Sequence, residues 1–263
     1  MDELQGLHLI NVMGTCHGTI ERNFYNPGRD KYIIHYKALD GSYKVHGLEP
    51  EEFERYSSYA KLKSDRYDII NNRDIRHMYH FSPINNITSI LNTGLYSREK
   101  CERENINIEI TDQNRFDGEL NRISTSISFP NYRMRYSLEK QNFNLVIYDI
   151  NPKILLSKLD TQFYYTNAAN AIFRYTDKRL LTTNEALEGL FTPVNREPGL
   201  YRNYTTDPQA EILVNEEVPN CFINGIITKD YNANIEEICN QKRLRYEVNS
   251  SLYSYRSDYA RWR

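Results

Sequence analysis

The run Asp207-Pro208-Gln209-Ala210-Glu211-Ile212-Leu213-Val214 sets an amide and an acid two residues apart, directly before an apolar stretch. The pattern predicts a strand whose first residues sit at an open edge. Alternate strand residues share a face, so Gln209 and Glu211 would look into one cleft while Ala210 keeps the opposite face thin. A carboxylate there can hydrogen-bond a ribose hydroxyl and stabilise positive charge at an anomeric carbon as a glycosidic bond breaks. An amide offers both a donor and an acceptor, so Gln209 could hold the group that attacks. The same spacing also describes a polar strand edge with no chemistry, the commoner use of such a pair, and other segments must decide.

Two more stretches carry suitable residues. Met78-Tyr79-His80-Phe81-Ser82 reads as a strand that feeds a helix, with Ile84, Ile87, Ile90 and Leu91 at helical spacing and Gly94 as its C-terminal stop. A helix start offers backbone N–H groups, and His80 could donate to a ribose or an amide; a structural histidine is the plain alternative. Ile123 to Phe129 alternates cleanly, which gathers Ser124, Ser126 and Ser128 on one face. That face suits a small polar wall beside a ligand, or simply solvent.

The elements that must position these residues divide at about residue 72. Residues 1–72 read as a small β-rich accessory unit, with turns at Asn26-Pro27-Gly28 and Asp40-Gly41 and a short charged helix from Pro50 to Leu62. A small β-barrel of the kind used for binding fits them. Residues 73–263 then form the main domain. It includes an irregular polar segment from Ser97 to Gly118, a buried strand Leu145–Ile150, a short helix after Pro152, and Phe222–Thr228 as the strand that closes the sheet.

The totals exclude several classes. Four cysteines lie far apart with no metal-ligand spacing, which predicts reduced thiols and no metal. No run approaches the roughly 18 apolar residues of a membrane span, and no export signal precedes the first strand, so a cytoplasmic protein is expected. The net charge of −2 gives the whole chain no pull on nucleic acid, so any such binding must be local. Tyrosine, at 22 residues, is abundant and often beside Arg or Asn, as in Phe129-Pro130-Asn131-Tyr132-Arg133-Met134-Arg135-Tyr136. Rings beside guanidinium groups suit stacking on unpaired bases, although tyrosine is also an ordinary strand former.

Taken together, the chain resembles the DarT family of bacterial toxins, which move ADP-ribose from NAD onto nucleic acid. The matching pieces are His80-Phe81-Ser82 with Asn86, Ile90-Leu91 and Gly94-Leu95; Ser126-Ile127-Ser128-Phe129 with Met134; Asn167-Ala168-Ala169; and Gln209-Ala210-Glu211 with Ile226-Ile227. They recur in the family's order over about residues 76 to 230, and no single one would suffice.

The resemblance implies an α+β fold, the ADP-ribosyltransferase split β-sandwich with flanking helices, beside the small N-terminal β-rich unit. It implies NAD as co-substrate, against His80, Phe81, Ser82, Gly94, Leu95, Ser126 and Met134, with no metal. Glu211 would be the catalytic glutamate, and Arg115 the family's essential arginine, with Arg122 the runner-up. An arginine is a poor base, so clamping of the pyrophosphate is favoured for it over proton transfer. Gln209, Asn167, Tyr165 and Arg122 would border the acceptor. Single-stranded DNA is the expected acceptor, with RNA or a protein side chain as alternatives and a non-enzymatic binder as the rival class. A toxin of this kind, used in phage defence, implies an antitoxin partner and no membrane. Residues 1–72 have no counterpart in the resemblance.

Overall fold

The computed structural model describes residues 4–111 and 117–259. The chain forms two units, Met1–Asn72 with Lys153–Leu159, and Arg73–Pro152 with Asp160–Arg263.

In the smaller unit β1 (His8–Ile10), β2 (Cys16–Asn26), β3 (Lys31–Ala38) and β4 (Tyr43–Leu48) pair in sequence order as an antiparallel sheet, and α1 (Pro50–Asn72) follows. The turns fall where expected. The Asn26 side chain accepts from the Gly28 N–H at 3.1 Å, and Asp40 accepts from the Ser42 N–H at 2.9 Å. Leu9, Ile20 and Ile34 pack on Ala60, with Phe53 and Tyr56 of α1 against them. The expected barrel is instead an open sheet backed by one helix, since β1 and β4 are its two edges. The helix runs to Asn72 rather than Leu62, because Ile69, Ile70 and the buried Arg66 continue its inner face.

The larger unit begins with β5 (Met78–Pro83), α2 (Ile87–Thr93), β6 (Leu95–Tyr96) and α3 (Arg98–Arg103), the last within the segment expected to be irregular. β7 (Arg122–Ile127), α4 (Tyr132–Lys140) and β8 (Leu145–Ile150) follow. Next comes α5 (Ile154–Ser157), which the sequence assigns to the main domain but which belongs to the smaller unit, where Arg66 donates to the Leu155 carbonyl at 2.9 Å. β9 (Gln162–Tyr164), α6 (Asn184–Gly189), β10 (Glu211–Asn215), β11 (Glu217–Val218), β12 (Ile223–Thr228), α7 (Ala233–Lys242) and β13 (Arg245–Val248) complete it.

Seven of these strands form one mixed sheet in the order β13-β12-β8-β5-β7-β10-β9, while β6 pairs with β11 apart from it. β8 is buried along its whole length, as its continuous apolar run requires. β12 does not close the sheet. β13 lies outside it in parallel, with α7 as the crossover.

The sheet opens in its middle. β5 pairs with β8 from Met78 to Pro83, but with β7 only at Met78 and Tyr79. Beyond Tyr79 the two strands part, and the His80 imidazole spans the gap with Nδ1 at 2.8 Å from the Ser124 carbonyl. This is the split sheet, with helices and an N-terminal β-rich unit, that the sequence led us to expect.

Candidate active site

Two cavities meet at this split. The narrower, about 140 Å3, has His80, Phe81, Ser82, Gly94 and Leu95 in its wall. At roughly 30 Å3 per water it has room for about five waters, the scale of a single ring rather than a dinucleotide. The wider, about 920 Å3, is lined by Asn131, Arg133, Asn167, Gln209 and Glu211. Thr111, Ser124 and Met134 line both, so the two adjoin.

Glu211 opens β10 and is 4% exposed. Its Oε2 accepts from the Ala168 N–H at 3.0 Å, and its Oε1 accepts from the Asn167 and Asn131 amides at 3.3 and 3.4 Å. Donors that converge on a buried carboxylate repay its desolvation and fix where its oxygens point. Asn167 is itself held, its Oδ1 accepting from the Ala169 N–H at 2.9 Å.

Gln209 also lines the wide cavity, although not by strand alternation. It precedes β10, in a turn where its N–H donates to Asp207 Oδ1 at 2.7 Å. Burial raises the Asp207 carboxyl above the usual carboxylate range, with hydrogen bonds from Thr166 and the Gln209 N–H and the charge of Arg256 opposing it. Arg256 clamps this approach to the site. It is 2% exposed, pairs with Asp258 through two nitrogens at 2.6 and 2.7 Å, and donates to the Thr206 carbonyl at 3.1 Å.

On the other side of the split, the His80 Nδ1 faces a carbonyl and must carry the proton. Ser82 is buried and accepts from Asn86 at 3.0 Å. The Asn86 amide also pairs with both backbone groups of Glu109, at 3.0 and 2.8 Å, and so pins the stretch that lines the narrow cavity as far as Thr111. Gly94 ends α2 at φ +105°, where an added Cβ would lie 2.6 Å from the Val218 carbonyl. Glycine is needed there by the backbone.

Other expected residues are arranged differently. Ser126 is buried opposite Tyr79 and lines neither cavity; Ser124, two residues earlier on β7, lines both. Tyr165 is 50% exposed, with its ring against Phe173, and lies outside both cavities. Arg122 borders the narrow cavity, but its guanidinium donates to the carbonyls of Asp160 and Leu213 at 2.9 and 3.4 Å, which ties the start of β7 to the middle of β10 and to the loop before β9. Arg115 lies outside the described residues.

Asn131 went unrecognised in the sequence. It is 3% exposed and works at both ends of its amide, as the cap of α4, accepting from the Met134 N–H at 3.3 Å, and as a donor to Glu211. An Asn between a proline and a helical run was the available signal. Among the described residues no group of His, Cys, Asp and Glu could hold a metal ion, and no helix is long and apolar enough to cross a membrane.

The centre of the split mixed sheet thus holds a buried carboxylate in the wall of a cavity large enough for a ligand. The family model described as "ssDNA thymidine ADP-ribosyltransferase, DarT" matches residues 79–255. The chain belongs to the DarT family of ADP-ribosyltransferases. Among solved structures, Thermosipho africanus DarTG in complex with ADP-ribose is similar in fold, with a TM-score of 0.53 at 19% identity over 68% of this chain. The match spans about half, 51%, of the Thermosipho chain. Thermus sp. 2.9 DarT in complex with NAD+ matches at 14% identity over 69% of this chain and 98% of its own, with a TM-score of 0.43. The same protein in complex with ADP-ribosylated ssDNA matches at 13% identity over 69% and 97%, also at 0.43. A search of curated protein sequences finds no match.

Proposed function

We propose that this protein transfers ADP-ribose from NAD to a thymidine base of single-stranded DNA and releases nicotinamide. The observation that carries the reading is the Glu211 carboxylate, held by the Ala168 N–H and two asparagine amides in the wall of a cavity that adjoins the one at His80. Family membership supplies the substrate class. The small polar walls at Ser82 and Ser124 and the ring of Phe81 fit a nicotinamide and its ribose, and the wide cavity fits the acceptor.

In the reaction the bond between ribose C1′ and the nicotinamide nitrogen breaks, and its electron pair leaves with nicotinamide. Glu211 stabilises the positive charge left on the ribose. Thymidine has one ring N–H, so that nitrogen forms the new C1′–N bond and gives up its proton to solvent water. Gln209 and Asn167 orient the base, and the Asn131 amide keeps Glu211 aimed. Arg115 remains our candidate for the pyrophosphate clamp.

Such a modifier damages its own host, so we read it as a toxin of the cytoplasm that requires an antitoxin partner, with foreign DNA as a target in defence. The test is mass spectrometry of short oligonucleotides after incubation with the protein and NAD. A gain of one ADP-ribosyl group on thymidine-containing DNA, absent from thymidine-free DNA and from RNA, is expected. A gain only on RNA or on protein would overturn the acceptor, and full turnover by Glu211→Gln would overturn the mechanism.

A further inference from the structure

The smaller unit has a cavity of its own. It measures about 510 Å3, lies between the sheet and α1, and is mainly apolar in lining. That volume falls within the roughly 300–1,000 Å3 of ligand pockets. Three tyrosines contribute to its wall, Tyr36 from β3 and Tyr56 and Tyr59 from α1. Arg55, Tyr59 and Lys63 recur every fourth residue of α1 and so form one stripe of side chains along the cavity.

The charges on this stripe are unbalanced. Lys63 is half-buried, and its ammonium donates to the Asn11 carbonyl at 3.3 Å. Among the described residues no carboxylate pairs with Lys63 or with Arg55. The acid at the cavity, Glu52, accepts from the Glu49 N–H at 3.1 Å and so caps the helix start. A desolvated ammonium without a counter-ion, beside a second unpaired cation and three aromatic rings, calls for an anion that carries a flat ring. A nucleotide has that chemistry, with its base against tyrosine and its phosphate on Lys and Arg.

We propose that this cavity is a second binding site for single-stranded DNA, which takes one nucleotide of the strand with the base among Tyr36, Tyr56 and Tyr59 and the adjoining phosphates on Arg55 and Lys63. The choice of DNA rests on the acceptor proposed above; the site itself rests on the cavity and its charges.

The test uses the full chain carrying Glu211→Gln, so that DNA is bound without being modified. Affinity for a fluorescent thymidine oligonucleotide is measured across salt concentrations, with and without Arg55→Gln and Tyr59→Ala, both at exposed positions. A strand carrying 5-iododeoxyuridine is photocrosslinked and the attached peptides are mapped. We expect a three- to tenfold loss of affinity in each variant, a salt slope reduced by about 0.7 for Arg55→Gln, and crosslinks at Tyr56 or Tyr59. Unchanged affinity and slope with no crosslink in α1 would overturn the site, as would capture of thymidine monophosphate but not of the strand. A crosslink in α1, together with failure of the parent chain with Glu211 intact to modify thymidine, would sink the proposed activity and leave this site standing.

Discussion

Burying a carboxylate costs several kcal/mol unless donors meet it, and Glu211 is met by the Ala168 N–H and by the amides of Asn131 and Asn167. Glu211→Gln keeps the shape and removes the charge. Turnover should fall by about 100- to 1,000-fold, and because the new amide nitrogen meets a donor at either oxygen position, stability should fall by about 1–3 kcal/mol, as read from nicotinamide release and a thermal melt. Asn131 separates two roles. Asn131→Ala should cost about 1 kcal/mol through the lost cap, whereas Asn131→Asp keeps an oxygen for the Met134 N–H but sets a second negative charge beside Glu211. The aspartate variant should be the less stable of the two near neutral pH, since two buried carboxylates then face each other, and the slower; equal turnover in both would argue against the Asn131 contact. Asp207 bears on pH. Its carboxyl titrates higher folded than unfolded, so the folded chain binds more protons in that window and stability falls as pH rises through it. Asp207→Asn keeps an acceptor for the Gln209 N–H and loses this slope. Melts from about pH 4 to about pH 8 should be flatter for the variant than for the parent, and parallel profiles would remove the claim.

The central element is the point where β5 and β7 stop pairing. A sheet that parts leaves backbone groups without ladder partners, and the His80 imidazole takes up one of them, the Ser124 carbonyl. His80→Ala should cost about 1 kcal/mol in a urea melt, while His80→Asn can still present an N–H and should cost less. If both lose the same amount, the imidazole is not acting as the bridge. Gly94 answers to a similar constraint at the end of α2. With φ at +105° and the Val218 carbonyl 2.6 Å from any Cβ, Gly94→Ala combines backbone strain with a clash. A loss of at least 1–3 kcal/mol is expected from the same melt.

At the scale of the larger unit, the C-terminal residues brace the approach to β10. The family match ends at residue 255, immediately before Arg256. The guanidinium of Arg256 nevertheless reaches back to Thr205 and Thr206, just ahead of the Asp207 turn. Its pair with Asp258 is buried on both sides, at 2% each. Arg256→Ala would strand a buried carboxylate and should destabilise by about 3–5 kcal/mol, with a loss of turnover that the thermal melt alone does not explain. Unchanged activity in the folded variant would show that the loop holds its shape without the clamp.

Strands, turns and helix stops were legible in the sequence because their causes lie within a few residues. The alternation of Ile123 to Ile127, the uniformly apolar Leu145–Ile150, the Asp40-Gly41 turn and the stop at Gly94 each act locally. Glu211 was legible as well, as an acid at the head of an apolar strand. The sequence by itself therefore determined most of the strands and turns and the family, and put an acid at the head of β10. Only the tertiary structure decided which donors surround that acid, because Asn131 and Asn167 come to it from 80 and 44 positions away. It also turned Tyr165 out of the cavity, put Ser124 rather than Ser126 in its wall, and drew Arg122 onto backbone carbonyls. Side-chain direction at a parted sheet depends on where ladder pairing stops, and no short window of residues encodes that point.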